Sequence, residues 1–93
     1  MNFHRVQDGN IAYDQIIGNK FDLIFLPGLR SDRMGTKALY IEDYAVRNGL
    51  GNIRFDYLGH GQSDGNFSDF GINDWLENSL NVIDNLAQNP VIL

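Results

Sequence analysis

The chain contains no cysteine. Disulfides, a thiol nucleophile and cysteine-based zinc centres are therefore excluded, and a reducing compartment is compatible with the composition. Basic residues are few and scattered: seven Lys and Arg stand against twelve Asp and Glu, for a net charge of −5. Nucleic-acid phosphates and anionic membrane surfaces are met by clustered Lys and Arg, so neither is an expected partner. Long apolar runs are also missing. The longest, Leu23-Ile24-Phe25-Leu26, is far short of the roughly 20 residues a membrane-spanning helix needs. The opening MNFHRVQDGN has no apolar stretch of the kind that marks a secretory signal. The expected location is cytoplasmic. The two histidines, His4 and His60, are too far apart in sequence to suggest a metal-ligand pair, and no cofactor is expected.

What is present is enough for one small folded domain. Hydrophobic residues make up 43% of the 93, with six Phe, four Tyr and one Trp, which argues against disorder. A chain this short buries only roughly two-thirds of its unfolded surface, so its stability margin is thin.

Turn residues divide the chain into short elements. Asp8-Gly9-Asn10 separates two candidate strands, Phe3–Gln7 and Ile11–Ile17, as a hairpin turn does. Phe21–Leu26 reads as a buried strand closed by Pro27-Gly28. Met34, Ala38, Ile41 and Ala45 recur at helical spacing and predict a helix over about 34–48, stopped at Asn48-Gly49. Ile53–Tyr57 is a strand, followed by a polar, glycine-rich loop from Leu58 to about Gly71. Ile72, Trp75, Leu76, Ser79, Ile83 and Leu86 share one face of a second helix, which Asn89-Pro90 ends. Val91-Ile92-Leu93 opens a further strand. Strands alternating with helices predict a parallel α/β sheet with right-handed crossovers. The hairpin at about 3–17 extends it antiparallel, ahead of a βαβαβ unit over about 21–93. Leu23, Phe25 and Ile53 are expected to be only partly covered, which makes the isolated chain soft or aggregation-prone.

Two segments carry candidate chemistry. Pro27-Gly28-Leu29 closes a central strand, where ligands sit in open parallel sheets. Gly28 allows a sharp turn, and the Leu29 N–H is a candidate donor to a developing oxyanion. The same residues also suit a plain strand-ending turn. The second segment is Arg54–Ser63, with Gly59 and Gly61 permitting a tight loop. A phosphate loop over Gly59, Gly61 and Gly65 would have to open directly into a helix. The helical pattern starts only near Ile72, and the acidic residue about 20 positions on, Asp84, falls inside a helix. His60, Ser63 and Asp64 lie on one short loop, whereas triads are assembled from separate loops. His60 is expected to make a backbone hydrogen bond, His4 to lie on the surface of a strand, and Trp75 to enter the core.

Several stretches together resemble the α/β-hydrolase family. They are Pro27-Gly28-Leu29 with Ser31, Met34–Leu39, and Ile53-Arg54-Phe55-Asp56-Tyr57-x-Gly59-x-Gly61-x-Ser63-Asp64-Gly65. Trp75, Ile83-Asp84-x-Leu86 and Pro90–Leu93 continue the likeness, which covers nearly everything after about Ile11. Within the family it is most similar to the palmitoyl-protein thioesterase and acyl-glucuronide esterase-like branch with its bacterial relatives. The resemblance implies a serine hydrolase of esters or thioesters with Ser, Asp and His in that chain order. The serine would sit on an elbow ending the strand that starts at Val91, and the acid and base would follow. This chain would then be an N-terminal fragment, inactive alone, to which only the backbone donor of Leu29 transfers. Its expected partner is a C-terminal half of the same hydrolase, and the complete enzyme would take a small acyl ester or thioester. The alternative is a non-catalytic half-domain that binds such a half, or another partner, by completing its sheet.

Overall fold

The computed structural model describes residues 1–93. The hairpin forms from β1 (Asn2–Val6) and β2 (Gly9–Ile16). Then follow β3 (Asp22–Phe25), α1 (Thr36–Arg47), β4 (Gly51–Phe55), a 3-10 turn at Phe67–Asp69, α2 (Ile72–Leu86) and β5 (Val91–Ile92). The five strands make one sheet in the order β1-β2-β4-β3-β5. β1 and β2 are antiparallel, β2 pairs antiparallel with β4, and β3 runs parallel to both β4 and β5. This is the α/β architecture expected from the pattern, with the hairpin added on the β4 side.

The observed strand over Gly51–Phe55 starts and ends two residues earlier than the apolar run predicts. Pairing decides its limits: the parallel register sets Asp22 opposite Gly51 and Phe25 opposite Arg54. All five residues are buried, as befits a strand with a neighbour on each edge. Side chains alternate across a strand. Ile53 and Phe55 join the main core with Ile24, Ile11, Leu58 and Val82 on the α2 side, and Arg54 faces α1, where it meets Glu42. Ile53 is thus fully covered, contrary to expectation, because α2 packs on its face; Leu23 and Phe25 are only half-covered, as expected.

On α2 the buried side chains are Trp75, Asn78, Ser79 and Val82. Ile72 and Leu76, expected on the inner face, stay exposed. The reason is polar. The Asn78 Oδ1 accepts the buried Leu58 N–H at 2.9 Å, and the Trp75 Nε1–H donates to the Leu58 carbonyl at 3.0 Å. Both contacts rotate the helix toward the glycine-rich loop. Asp22, nearly fully buried, accepts the Gln88 and Asn89 N–H groups at 2.6 and 3.2 Å. It thereby ties the turn after α2 to β3 and sets the entry into β5.

Candidate functional site: the turn after β3 and the loop after β4

The chain leaves β3 through a four-residue turn, Gly28 to Ser31, closed by the Ser31 N–H donating to the Gly28 carbonyl at 2.9 Å. Arg30 sits at its third position with φ 61°. Positive φ at that position alone defines a type II turn, which normally takes glycine there. Gly28 is not the left-handed residue: its φ is not positive, and a Cβ added to it would meet nothing within 4 Å. The sharp conformation expected of Gly28 therefore belongs to Arg30.

Leu29 occupies the second turn position with 61% of its surface exposed. Its N–H has no acceptor within the chain. With Pro27, Tyr57, Trp75, Leu76 and Leu80 it lines an apolar groove of about 530 Å3 on the α2 side of the sheet. The sequence candidate thus lies at the carboxyl end of a central strand, beside an apolar groove.

The loop after β4 is held by its own signature residues. Asp56 is fully buried. Its carboxylate accepts the Arg33 N–H at 2.6 Å, the Arg33 guanidinium at 2.6 Å and the Gln62 N–H at 3.0 Å. Gly61 turns with φ 47°, and a Cβ there would land on that carboxylate. The Ser63 Oγ donates to the Asp56 carbonyl at 2.6 Å and accepts the Ala12 N–H at 2.8 Å. Asp64 accepts the Asn10 N–H at 2.8 Å. The Asp-x-x-Gly-x-Gly-x-Ser-Asp pattern therefore clamps the loop to β2 and to the segment before α1.

Gly61-Gln62-Ser63-Asp64-Gly65 has the spacing of a nucleophile elbow, contrary to the expectation that none occurs before the strand that starts at Val91. Ser63 cannot serve as one here. It is buried, both faces of its hydroxyl are engaged by backbone, and no helix starts behind it. Nor do the side chains of His60, Ser63 and Asp64 bond to one another; each is turned to a different backbone partner. A phosphate loop is equally unsupported. The Gly59, His60, Gln62 and Ser63 N–H groups all donate within the chain, so the loop does not present a run of free donors, and the helix begins only at Ile72.

His60 is 5% exposed and accepts the Arg30 N–H on Nε2 at 3.0 Å. A backbone N–H can only donate, so Nε2 is unprotonated and Nδ1 carries the hydrogen. Nδ1 faces the Leu58 carbonyl at 3.2 Å. The expected backbone bond of His60 is thus formed. His4 departs from expectation. It is half-buried, bonds Asn81 of α2 at 2.6 Å and stands edge-on to Tyr13.

A cluster of charges lies under the turn segment. Arg33 bridges Asp14 (2.9 Å) and Asp56 (2.6 Å), and Arg54 bridges Asp14 (3.3 Å) and Glu42 (2.7 Å). Burial by itself pushes the Asp14 carboxyl upward. The hydrogen bonds from Arg33 and the Met1 ammonium, with the charges of Arg54 and Arg33, outweigh this and hold it below the ordinary carboxylate range. For Arg33, burial acts downward and the bonds to Asp14 and Asp56 raise it overall. The sequence reading missed Asp14, Arg33 and Glu42 because their partners are remote in the chain. The available signal was Arg54 and Asp56, two charges two apart at the carboxyl end of a buried strand.

No protein-family model matches the chain. It is 44% identical over 84 residues to the palmitoyl-protein thioesterase ABHD10, mitochondrial, of Homo sapiens, covering 90% of this chain and 28% of that protein. The chain thus spans little more than a quarter of the length of the curated relatives it matches. Among solved structures it superposes on the mouse alpha/beta hydrolase domain-containing protein 10 with a TM-score of 0.94 at 35% identity. That match covers 99% of this chain and 37% of the other. A putative hydrolase from Agrobacterium vitis S4 matches with a TM-score of 0.80 at 42% identity, over 90% of this chain and 34% of that one.

Proposed function

This chain belongs to the α/β-hydrolase family, and on that premise we propose that it is an N-terminal portion of such an enzyme and contributes one wall and one backbone donor to an acyl-transfer site. In this reading Leu29 N–H holds the oxyanion of a tetrahedral intermediate, and an acyl chain lies along the apolar groove beside it. The nucleophilic serine, acid and base come from hydrolase sequence outside these 93 residues, so the chain alone is inactive. The reaction is hydrolysis of an ester or thioester through an acyl-serine. The thioesterase names of the relatives favour the thioester. What carries the reading is the unbonded Leu29 N–H at the carboxyl end of β3, on the rim of the groove. Such donors stabilise charge most where water is excluded.

The test is Leu29→Pro. Proline is favoured at the second position of a type II turn, so this change removes the donor and keeps the turn. In an enzyme reassembled from this chain and a hydrolase C-terminal part, loss of an oxyanion donor lowers kcat by about 100- to 1,000-fold. An unchanged kcat refutes the assignment. Stoichiometric fluorophosphonate labelling of the 93-residue chain alone refutes the claim that its nucleophile lies elsewhere.

A second reading has its own support. β5 pairs on one side with β3, and its other edge is open, with Ile92 and Leu93 47% and 70% exposed. An open edge of this kind recruits another strand. In this reading the chain is a binding half-domain for a hydrolase C-terminal half. A chain that stays monomeric in sedimentation when mixed with that half argues against it. A cytoplasmic location belongs to the same proposal. No helix is long and apolar enough to cross a membrane, whereas the names of the relatives specify mitochondria; cell fractionation decides between the two.

A further inference from the structure

Arg30 is an anomaly in its turn. The third position of a type II turn favours glycine, because in the left-handed region the Cβ of any other residue crowds the following carbonyl oxygen. Two contacts oppose that cost. The Arg30 guanidinium lies 4.1 Å from the centre of the Phe67 ring, and the Arg30 N–H is held by the His60 Nε2 at 3.0 Å. The second contact bears directly on the turn. Types I and II differ by a flip of the central peptide, here the one joining Leu29 to Arg30. An acceptor that captures the N–H of that peptide selects one of the two orientations.

His60 is itself immobilised. Its Nδ1–H faces the Leu58 carbonyl, which also accepts the Trp75 indole N–H at 3.0 Å. Its ring is enclosed by Trp75 at 5.2 Å, Phe67 at 5.2 Å and Tyr57 at 5.8 Å. A line of contacts therefore runs from α2 through the loop after β4 to the turn after β3.

We infer that His60 is a positioning residue: its unprotonated Nε2 fixes the Leu29–Arg30 peptide in the type II orientation and so presets the turn that carries the Leu29 donor. The catalytic consequence rests on the oxyanion reading above; the mechanical part does not. Protonation of Nε2 replaces the acceptor with a donor facing the Arg30 N–H. The bond is then lost, and the turn relaxes toward type I. The charged side chains that share the cleft beside His60 are Arg30 and Asp32 from the turn segment; the rings against it are Tyr57, Phe67 of the 3-10 turn and Trp75 of α2.

The experiment uses the 93-residue chain, isotopically labelled. Trp75 is the only tryptophan, so quenching of its fluorescence by the imidazolium reports the protonation of His60. The nuclear Overhauser effect between the Leu29 Hα and the Arg30 amide proton is strong in a type II turn and weak in type I. On acidification this effect should be lost with the same midpoint as the Trp75 quench. His60→Leu should lack it at every pH, and adding Arg30→Gly, which makes the left-handed position cheap, should restore it. A role of His60 in packing alone gives no such restoration. An effect that persists through the His60 titration overturns the proposal. So does one that survives in His60→Leu with the rest of the spectrum intact. Failure of the hydrolase reading looks different: the reassembled enzyme takes no fluorophosphonate while the Arg30 signal still follows His60.

Discussion

Asp56 is the residue whose removal the structure expects to be felt most. Its carboxylate is fully buried and takes three donors: the Arg33 N–H, the Arg33 guanidinium and the Gln62 N–H. Asp56→Ala leaves a buried guanidinium short of one counter-charge and two backbone N–H groups without acceptors. Breaking a buried pair from one side costs about 3–5 kcal/mol. Arg33 keeps Asp14 and Gln62, which moves the pair's share to the lower end. The buried Arg33 N–H adds about 1 kcal/mol, while the part-buried Gln62 N–H can turn to water, so the total is about 4 kcal/mol. A chain of this size has on the order of 5–14 kcal/mol of stability in all. Urea unfolding followed by Trp75 fluorescence measures the change. With a slope of about 1.5 kcal/mol per molar, the midpoint should fall by roughly 2–3 M. Asp56→Ala combined with Arg33→Met removes both charges and should cost less than the two single changes added together. A single-mutant loss below about 1 kcal/mol would refute the view that this cluster clamps the loop after β4 to the turn segment.

Ser63→Ala should destabilise by about 2 kcal/mol in the same urea assay, because it strands the buried Ala12 N–H; it should leave fluorophosphonate labelling of the reassembled enzyme unchanged. Gly61→Ala should cost at least as much as a left-handed alanine, about 1–2 kcal/mol, plus the collision with Asp56; a melt within experimental error of the parent would contradict the packing described. The folded-state pKa of Asp14 is depressed, so its contribution is fully present above the unfolded value, about 3.9, and is lost as pH falls through the folded value. Urea midpoints measured from pH 7 downward should therefore decline on the acid side, and less steeply in Asp14→Asn. Leu29→Pro should leave the urea midpoint of the chain nearly unchanged, since the N–H it removes bonds nothing in the chain.

The order of strands and helices was legible because each element is short, periodic and bounded by a local turn. Alternation and the Asp8-Gly9-Asn10 turn are enough for the hairpin, and a helical stripe ended at Asn48-Gly49 is enough for α1. The pattern did not reveal which face of α2 would be buried. That depended on Asn78 and Trp75 reaching the Leu58 backbone, and no count of apolar residues foresees a polar side chain turning a helix inward. The limits of β4 likewise came from pairing with β3 and β2 rather than from its own apolar run.

The candidate site divides along the same line. The Pro27-Gly28-Leu29 segment and the glycine-rich loop could be singled out from local chemistry, because turns and strand ends are written in adjacent residues. What each residue does there was decided by partners 20 to 50 positions away: Arg33 and His60 reach across separations of 23 and 30, and Ser63 meets Ala12 across 51. Only the folded sheet brings these together. It makes Asp56 a clamp, makes the Gly-x-Ser-x-Gly string at Gly61–Gly65 a loop brace, and moves the strained position of the turn from Gly28 to Arg30. The elements and their order follow from local turns and apolar spacing, which adjacent residues carry. The roles of the residues in the loops were decided by tertiary contact, because a hydrogen bond depends on distance in space and not along the chain.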